Sequence, residues 1–175
     1  ETVVPKQELN YIMGNPPFVG ARLMAQGSVQ KREIENLFGN IKDVQDLDYV
    51  CGWYYKAAKL IQNTNIQCAF VSTNSISQGS QVPILWDILF NTFNIKIHFA
   101  YQTFKWNSES NSKAAVHCVI IGFNYENKNS LSDKPVPTPP KKIYLNDQQV
   151  IEVKNISPYL FEGEDSFIVA QKEAL

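Results

Sequence analysis

Two adjacent prolines, Pro16 and Pro17, follow a short apolar run and a glycine in the stretch "LNYIMGNPPF". Proline fixes its own φ at about −65° and pushes the residue before it into extended geometry, so Asn15 and Pro16 are both constrained. Residues 9–13 are therefore read as a short buried strand that has to end at this point. What the chain presents just beyond is a carboxamide, a rigidly aimed main-chain carbonyl, and the flat ring of Phe18. Few local sequences restrict a backbone this much where a strand stops.

Further along, apolar spacing alternates between two periods. Leu47, Val50, Cys51, Tyr54, Ala57, Ala58 and Ile61 recur at helical spacing, which predicts an amphipathic helix of about four turns starting at Asp46. "QCAFVST" (67–73) reads as a central strand, "VPILWDILFNTF" (82–93) as a helix with Pro83 in its first turn, and "IKIHFAYQ" (95–102) as another strand. "KAAVHCVIIGFNY" (113–125) is a long apolar strand that follows without an intervening helix, so an antiparallel neighbour is the simplest connection. Residues 19–39 show no sustained period and read as a loop. The order strand, helix, strand, helix, strand, strand predicts an α/β fold: half of a doubly wound sheet ending in an antiparallel hairpin. Residues 126–142, "ENKNSLSDKPVPTPPKK", are polar and proline-rich and read as a loop or linker. "KIYL" and "QVIEVKNI" predict a small appended hairpin, after which the signal is weak.

Composition narrows the function classes. The chain has 175 residues, 44% of them apolar and 19% charged, enough to bury the core of one domain. Its net charge of −1 and pI of about 6.2 advertise no global field for nucleic acid, although a local basic patch is invisible in a sum. Cys51, Cys68 and Cys118 lie in apolar runs without metal-ligand spacing, which predicts buried free thiols in a reducing compartment and no metal site. No apolar stretch approaches the roughly 20 residues that span a bilayer, and the first ten residues have neither the basic nor the apolar part of a signal peptide. The expectation is a soluble, intracellular protein without a membrane partner. The missing initiator methionine predicts a piece cut from a longer chain.

The chemistry follows from the proline pair. Two acceptors beside a stacking ring, at the C-terminal end of a strand in an open α/β sheet, complement a planar group bearing an amine with two N–H donors. Adenine's exocyclic amine is such a group, and its lone pair is delocalised into the ring. If the Asn15 side-chain oxygen and the Pro16 carbonyl accept both hydrogens, the amine is biased toward pyramidal geometry. The same dipoles then stabilise the positive charge that develops on nitrogen as it attacks an electrophile. The blander reading of the same four residues is a rigid turn with a buried phenylalanine.

"GNPPF" resembles the catalytic motif of amino-group DNA methyltransferases, in which Asp, Asn or Ser precedes two prolines and an aromatic. With "NPPFVGARLM", "DYVCGWYYKAAKLI", "AFVSTNSISQGSQVPILW", "FAYQTFKWNSES", "AAVHCVIIGF" and "ISPYL", the resemblance extends over about residues 9–160, to the methyltransferase region of MmeI-like restriction-modification enzymes. It implies half of a Rossmann-like class I methyltransferase sheet over residues 1–125, with 143–175 leading toward a target-recognition domain. It implies that Asn15 and Pro16 hold the N6 amine of a flipped adenine and that Phe18 stacks on the base, with Pro17 and Asn74 bordering the pocket. A second aromatic, from the loop between the last two strands, is then Phe104 or Trp106, and the sequence does not choose between them. The implied donor is S-adenosyl-L-methionine. The family's glycine-rich cofactor loop and ribose-binding acid lie upstream of the motif, so the cofactor-binding residues are unknown here and the chain alone is expected to be inactive. The implied partner is double-stranded DNA in the full-length protein, and the implied location is the prokaryotic cytoplasm. An exposed sheet edge is expected to let copies of the chain pair. The motif alone also occurs in glutamine and RNA methyltransferases, and a non-catalytic remnant supporting DNA recognition is a further alternative.

Other polar residues read as structural. His98 and His117 lie in apolar strand patterns and are expected to be buried and hydrogen-bonded. Ser72, Thr73, Asn74 and Ser75 suit capping and loop structure at a strand end. Lys31 and Arg32, in "SVQKREIEN", are expected on a solvated face.

Overall fold

The computed structural model describes residues 4–106, 116–126 and 140–168. Its elements in chain order are β1 (Tyr11–Gly14), α1 (Val29–Phe38), α2 (Cys51–Leu60), β2 (Gln67–Thr73), α3 (Gln81–Asp87), β3 (Ile95–Trp106), β4 (Val116–Tyr125), β5 (Lys141–Asn146) and β6 (Gln149–Val153). The six strands form one open sheet in the order β1-β2-β4-β3-β5-β6. β1 pairs parallel with β2, and β3 parallel with β5, while β4 runs antiparallel to both β2 and β3. The C-terminal ends of β1, β2 and β3 therefore lie at one end of the sheet. The predicted antiparallel hairpin is present, but its second strand inserts between β2 and β3 instead of ending the sheet. The β5–β6 hairpin also forms where one was expected, joined to β3 as a continuation of the same sheet.

One face of the sheet holds the core. Along β2 and β4 the inward residues are Cys68, Phe70 and Ser72 opposite Phe123, Ile121 and Val119, all buried, as strand alternation requires. The ring of Tyr54 from α2 lies at their centre, stacked on Phe123 at 5.3 Å and edge-on to Phe70 at 5.2 Å and to Trp86 of α3 at 6.0 Å. Each such side chain contributes about 1.5–3 kcal/mol by leaving water. All seven residues of the stripe starting at Leu47 are buried, although regular α-helix begins only at Cys51, after a 3₁₀ turn at Val44–Asp46. The second predicted helix also forms, as α3 continued by a π-helical turn, Ile88–Thr92.

Three local readings are corrected. Residues 19–39 contain a helix, α1, whose N-cap Ser28 side chain accepts from the Lys31 N–H at 3.2 Å. Lys31 is only 7% exposed and lies on the inner face of α1 with Ile34 and Phe38, its Nζ donating to the Gln45 carbonyl at 2.9 Å. Its aliphatic stem takes an apolar position that its charge conceals in the sequence. His117 is exposed, because it stands beyond Cys118, the last residue of β4 that pairs with β2. The polar, proline-rich segment lies outside the described residues apart from its ends, where Lys141 and Lys142 already belong to β5.

The segment after β6 is docked, not extended. Gln102 Nε2 donates to the Leu160 carbonyl at 2.8 Å, Lys96 pairs with Asp165, and Asn155 Nδ2 donates to Asp165 at 2.9 Å. "ISPYL" is thereby held against β3.

Candidate active site

β1 stops at Gly14, and the next four residues sort by exposure as their chemistry requires. Asn15 and Pro17 face solvent, Pro16 is buried, and Phe18 is half-buried. Pro16 anchors the turn, which leaves the carboxamide before it and the ring after it at the surface. Neither the Asn15 side chain nor the Pro16 carbonyl accepts a hydrogen bond among the described residues. Two acceptors are thus without a hydrogen-bond partner among the described residues, next to one ring in the chain, at the end of the sheet where open α/β folds bind ligands.

The candidates farther along the chain lie at the same end. Asn74 follows β2 directly, in a 3₁₀ turn, Asn74–Ser77. Phe104 and Trp106 lie in β3 itself, which extends four residues past its predicted end, and not in the following loop. A bulge between Tyr101 and Phe104 shifts the register, so that Tyr101 opposite Ile120 and Phe104 opposite Cys118 share the face turned away from the helices. The rings of Phe104 and Trp106 are 6.3 Å apart, and Trp106 is 40% exposed against a half-buried Phe104. β3 is three strand positions from β1, or about 14 Å at ordinary inter-strand spacing.

Behind the turn lies a charged tie that sequence reasoning missed. Asp48, just before α2 and 7% exposed, accepts from the Ala21 N–H at 2.7 Å through Oδ1 and from the Ser75 hydroxyl at 2.6 Å through Oδ2. The Ser75 and Thr73 hydroxyl oxygens lie 2.9 Å apart, the Asp48 N–H donates to Gln81 Oε1 at 3.0 Å, and the Tyr49 N–H donates to the Val19 carbonyl at 2.9 Å. Residues 48 and 49 therefore clamp the loop that leaves Phe18. The Thr73 and Ser75 hydroxyls at the end of β2 serve this tie and not a cap, since no side chain caps the turn Asn74–Ser77. In the sequence, an acid near a helix start reads as an exposed, dipole-favoured residue; nothing local separates buried Asp48 from exposed Asp46.

The cysteines are buried and free, as predicted. Burial, then the nearby charge of Asp48, raises the Cys51 thiol far above its usual range, and burial pushes Cys68 up to about 12. Neither is a nucleophile at neutral pH. His98 is largely enclosed at a bulge in β3, and its Nε2 has no partner. Burial lowers its pKa, the Phe123 main chain opposes that, and Lys141 adds to it. Among the described residues no three His, Cys, Asp or Glu side chains form a metal-binding group, and no helix is long and apolar enough to cross a membrane.

A cleft of about 460 Å³ adjoins the turn, lined by residues 12–17 of the β1 segment and by Trp53, Lys56, Ala57, Leu60 and Phe70. A nucleoside-bearing methyl donor needs acceptors for its ribose hydroxyls. The lining has one charged residue, Lys56, and no carboxylate. These residues do not by themselves fit such a donor.

Residues 1–133 match the family described as MmeI, DNA-methyltransferase domain. This chain belongs to that family. It is 39% identical over 165 residues to DNA methyltransferase A of Bacillus subtilis (strain 168), covering 94% of this chain and 17% of that protein. Among solved structures it resembles the Type IIL restriction-modification enzyme MmeI in complex with DNA, with a TM-score of 0.82 and 44% identity over 96% of this chain and 22% of the other. The chain thus spans about a fifth of the length of these two relatives. The six-stranded α/β sheet is that of a methyltransferase, and the Asn15–Phe18 turn belongs to a DNA-methyltransferase domain.

Proposed function

We propose that this chain is the base-gripping part of an N6-adenine DNA methyltransferase that acts within a longer restriction-modification protein. The observation that carries this reading is the pair of unpartnered acceptors, the exposed Asn15 carboxamide and the Pro16 carbonyl, followed by the half-buried Phe18 ring at the end of β1. A flipped adenine enters with its exocyclic amine toward Asn15 and Pro16 and its plane against Phe18. Extruding the base costs a few kcal/mol, which the stack and the two hydrogen bonds offset. Pro17 and Asn74 border the pocket. Trp106, the more exposed of the two candidate rings, suits the far side of the base better than Phe104.

The chemical contribution of these residues is orientation and charge stabilisation. Asn15 and Pro16 fix both amine hydrogens, which aims the lone pair, and their dipoles favour the positive charge that grows on nitrogen. No residue has to remove a proton first. S-adenosyl-L-methionine, the general methyl donor of methyltransferases, would supply the electrophilic methyl group when bound to the full-length protein. The cleft beside β1 lacks the carboxylate such a ligand needs, which supports the reading that other parts of the full-length protein hold it and that the isolated chain is inactive. DNA as the substrate is supported by the solved relative, whose structure contains DNA. The prokaryotic cytoplasm, where host DNA is methylated, is the proposed location.

The test is methylation of plasmid DNA by the full-length protein with radiolabelled S-adenosylmethionine. Label in N6-methyladenine supports the proposal. Label in protein or RNA with none in DNA overturns it.

A further inference from the structure

We infer that Asp48 is a positioning residue of this site, holding the loop downstream of Asn15–Phe18 against the loop that follows β2. The inference rests on the proposed adenine-gripping role of the turn and adds a residue to it. Asp48 touches neither Asn15 nor Phe18 in the contacts described above; it acts through the backbone on either side of the pocket.

Three observations converge. First, the Asp48 carboxylate splits its two oxygens between two separate loops: Oδ1 takes the Ala21 N–H at 2.7 Å, and Oδ2 takes the Ser75 hydroxyl at 2.6 Å. Ala21 is three residues past Phe18, and Ser75 is the neighbour of Asn74, so one side chain sets the separation of the two pocket walls. Second, the clamp is doubled on the first loop, where the Tyr49 N–H donates to the Val19 carbonyl at 2.9 Å. The residue after Phe18 thus cannot shift without breaking a main-chain bond. Third, Asp48 is itself held from behind. Its N–H donates to Gln81 Oε1 at 3.0 Å, and the same oxygen accepts from the Cys51 thiol at 3.4 Å, so the first turns of α2 and α3 share one acceptor.

The arrangement favours a carboxylate over the amide of the same size. Both bonds require Asp48 to accept: one partner is a backbone N–H, and the other is a hydroxyl that is donating. Hydrogen bonds to a charged acceptor are short and strong, and in a site 93% enclosed they are not screened by water. Turns with unpartnered acceptors, such as the Asn15–Pro16 pair, gain nothing from their own bonds and depend on a frame of this sort for their aim. A displacement of about 1 Å in the reacting geometry costs on the order of 100-fold in rate. That is the scale expected when the frame is removed.

The test uses the full-length enzyme, plasmid DNA and radiolabelled S-adenosylmethionine, read as the single-turnover methylation rate and as the DNA concentration giving half-maximal rate. Asp48→Ala, assayed well below its melting temperature, is expected to lose about 100-fold in single-turnover rate with half-saturation by DNA unchanged. Asp48→Asn retains an oxygen for the Ala21 N–H and an amide that the Ser75 hydroxyl can accept from, and is expected to recover part of the rate. Ser75→Ala, a small change that keeps the fold even if Asp48→Ala does not, is expected to lower the rate by about tenfold. A purely structural role predicts a different pattern: lower melting temperatures, with parental rates in the folded variants. That result for Asp48→Ala, or for Ser75→Ala where the former does not fold, overturns the inference. Asn15→Ala is run alongside. If it methylates at the parental rate, the reading of the turn itself fails; if it is inactive while Asp48→Ala is parental, the positioning role alone fails.

Discussion

The Tyr54 hydroxyl lies 2.7 Å from the Ser72 hydroxyl, inside the core, and joins α2 to β2 by a polar contact within the Tyr54 aromatic cluster. Both residues are fully buried. Tyr54→Phe keeps the ring and its stacking on Phe123 but leaves the Ser72 hydroxyl without a partner. The expected loss is about 1–3 kcal/mol, the penalty of a buried unsatisfied group, with Tyr54→Phe/Ser72→Ala closer to the parent than Tyr54→Phe alone. Urea unfolding of the three proteins checks this.

Phe99 of β3 lies across Gly122 of β4, its directly paired residue. A Cβ at Gly122 would stand 2.0 Å from the Phe99 ring, so the absence of a side chain is what lets the ring cover the strand. Gly122→Ala forces the ring off, at a cost of about 1–3 kcal/mol. Adding Phe99→Leu relieves the clash, and a double-mutant cycle is expected to show coupling between the two sites.

His98 gives the stability a pH dependence with a defined sign. Its ordinary pKa is about 6.5, and burial with the charge of Lys141 lowers it in the folded state. The unfolded chain therefore binds more protons as the pH falls below about 6.5, so folding weakens through that window and the full contribution is present above it. In a series of urea midpoints, His98→Gln is expected to flatten this limb. A parental slope in His98→Gln would assign it to other groups.

Among the described residues β1 is an edge strand with one side unpaired, and Tyr11 and Met13 on it are 64% and 78% exposed. An apolar edge of this kind templates pairing with another strand. The 175-residue chain on its own is expected to self-associate, and Met13→Lys to reduce that association, as measured by light scattering. A monomer at every concentration contradicts this.

Much of the fold was legible because burial writes a period into a sequence. The stripe from Leu47 to Ile61 and the apolar runs of β2, β3 and β4 needed no tertiary information. α1 was hidden because Lys31 occupies a position on its buried face, so the period of Lys31, Ile34 and Phe38 does not read as apolar. The insertion of β4 between β2 and β3 was hidden because chain order records neighbours in sequence, not in the sheet. The last four residues of β3 were hidden because the bulge after Tyr101 breaks the alternation. At the site, the Asn15–Phe18 turn was legible because prolines constrain the backbone locally. Asp48 was not, since its role lies in partners 27 residues away on either side.

The central claim is that Asn15 holds the amine that is methylated. Its most direct test is the single-turnover rate of N6-adenine methylation by the full-length protein carrying Asn15→Ala, beside the parent. Loss of one hydrogen bond to a group that becomes charged, worth about 1.5–3 kcal/mol, predicts a fall of about 10- to 100-fold, with DNA binding retained. Methylation at the parental rate would contradict the account.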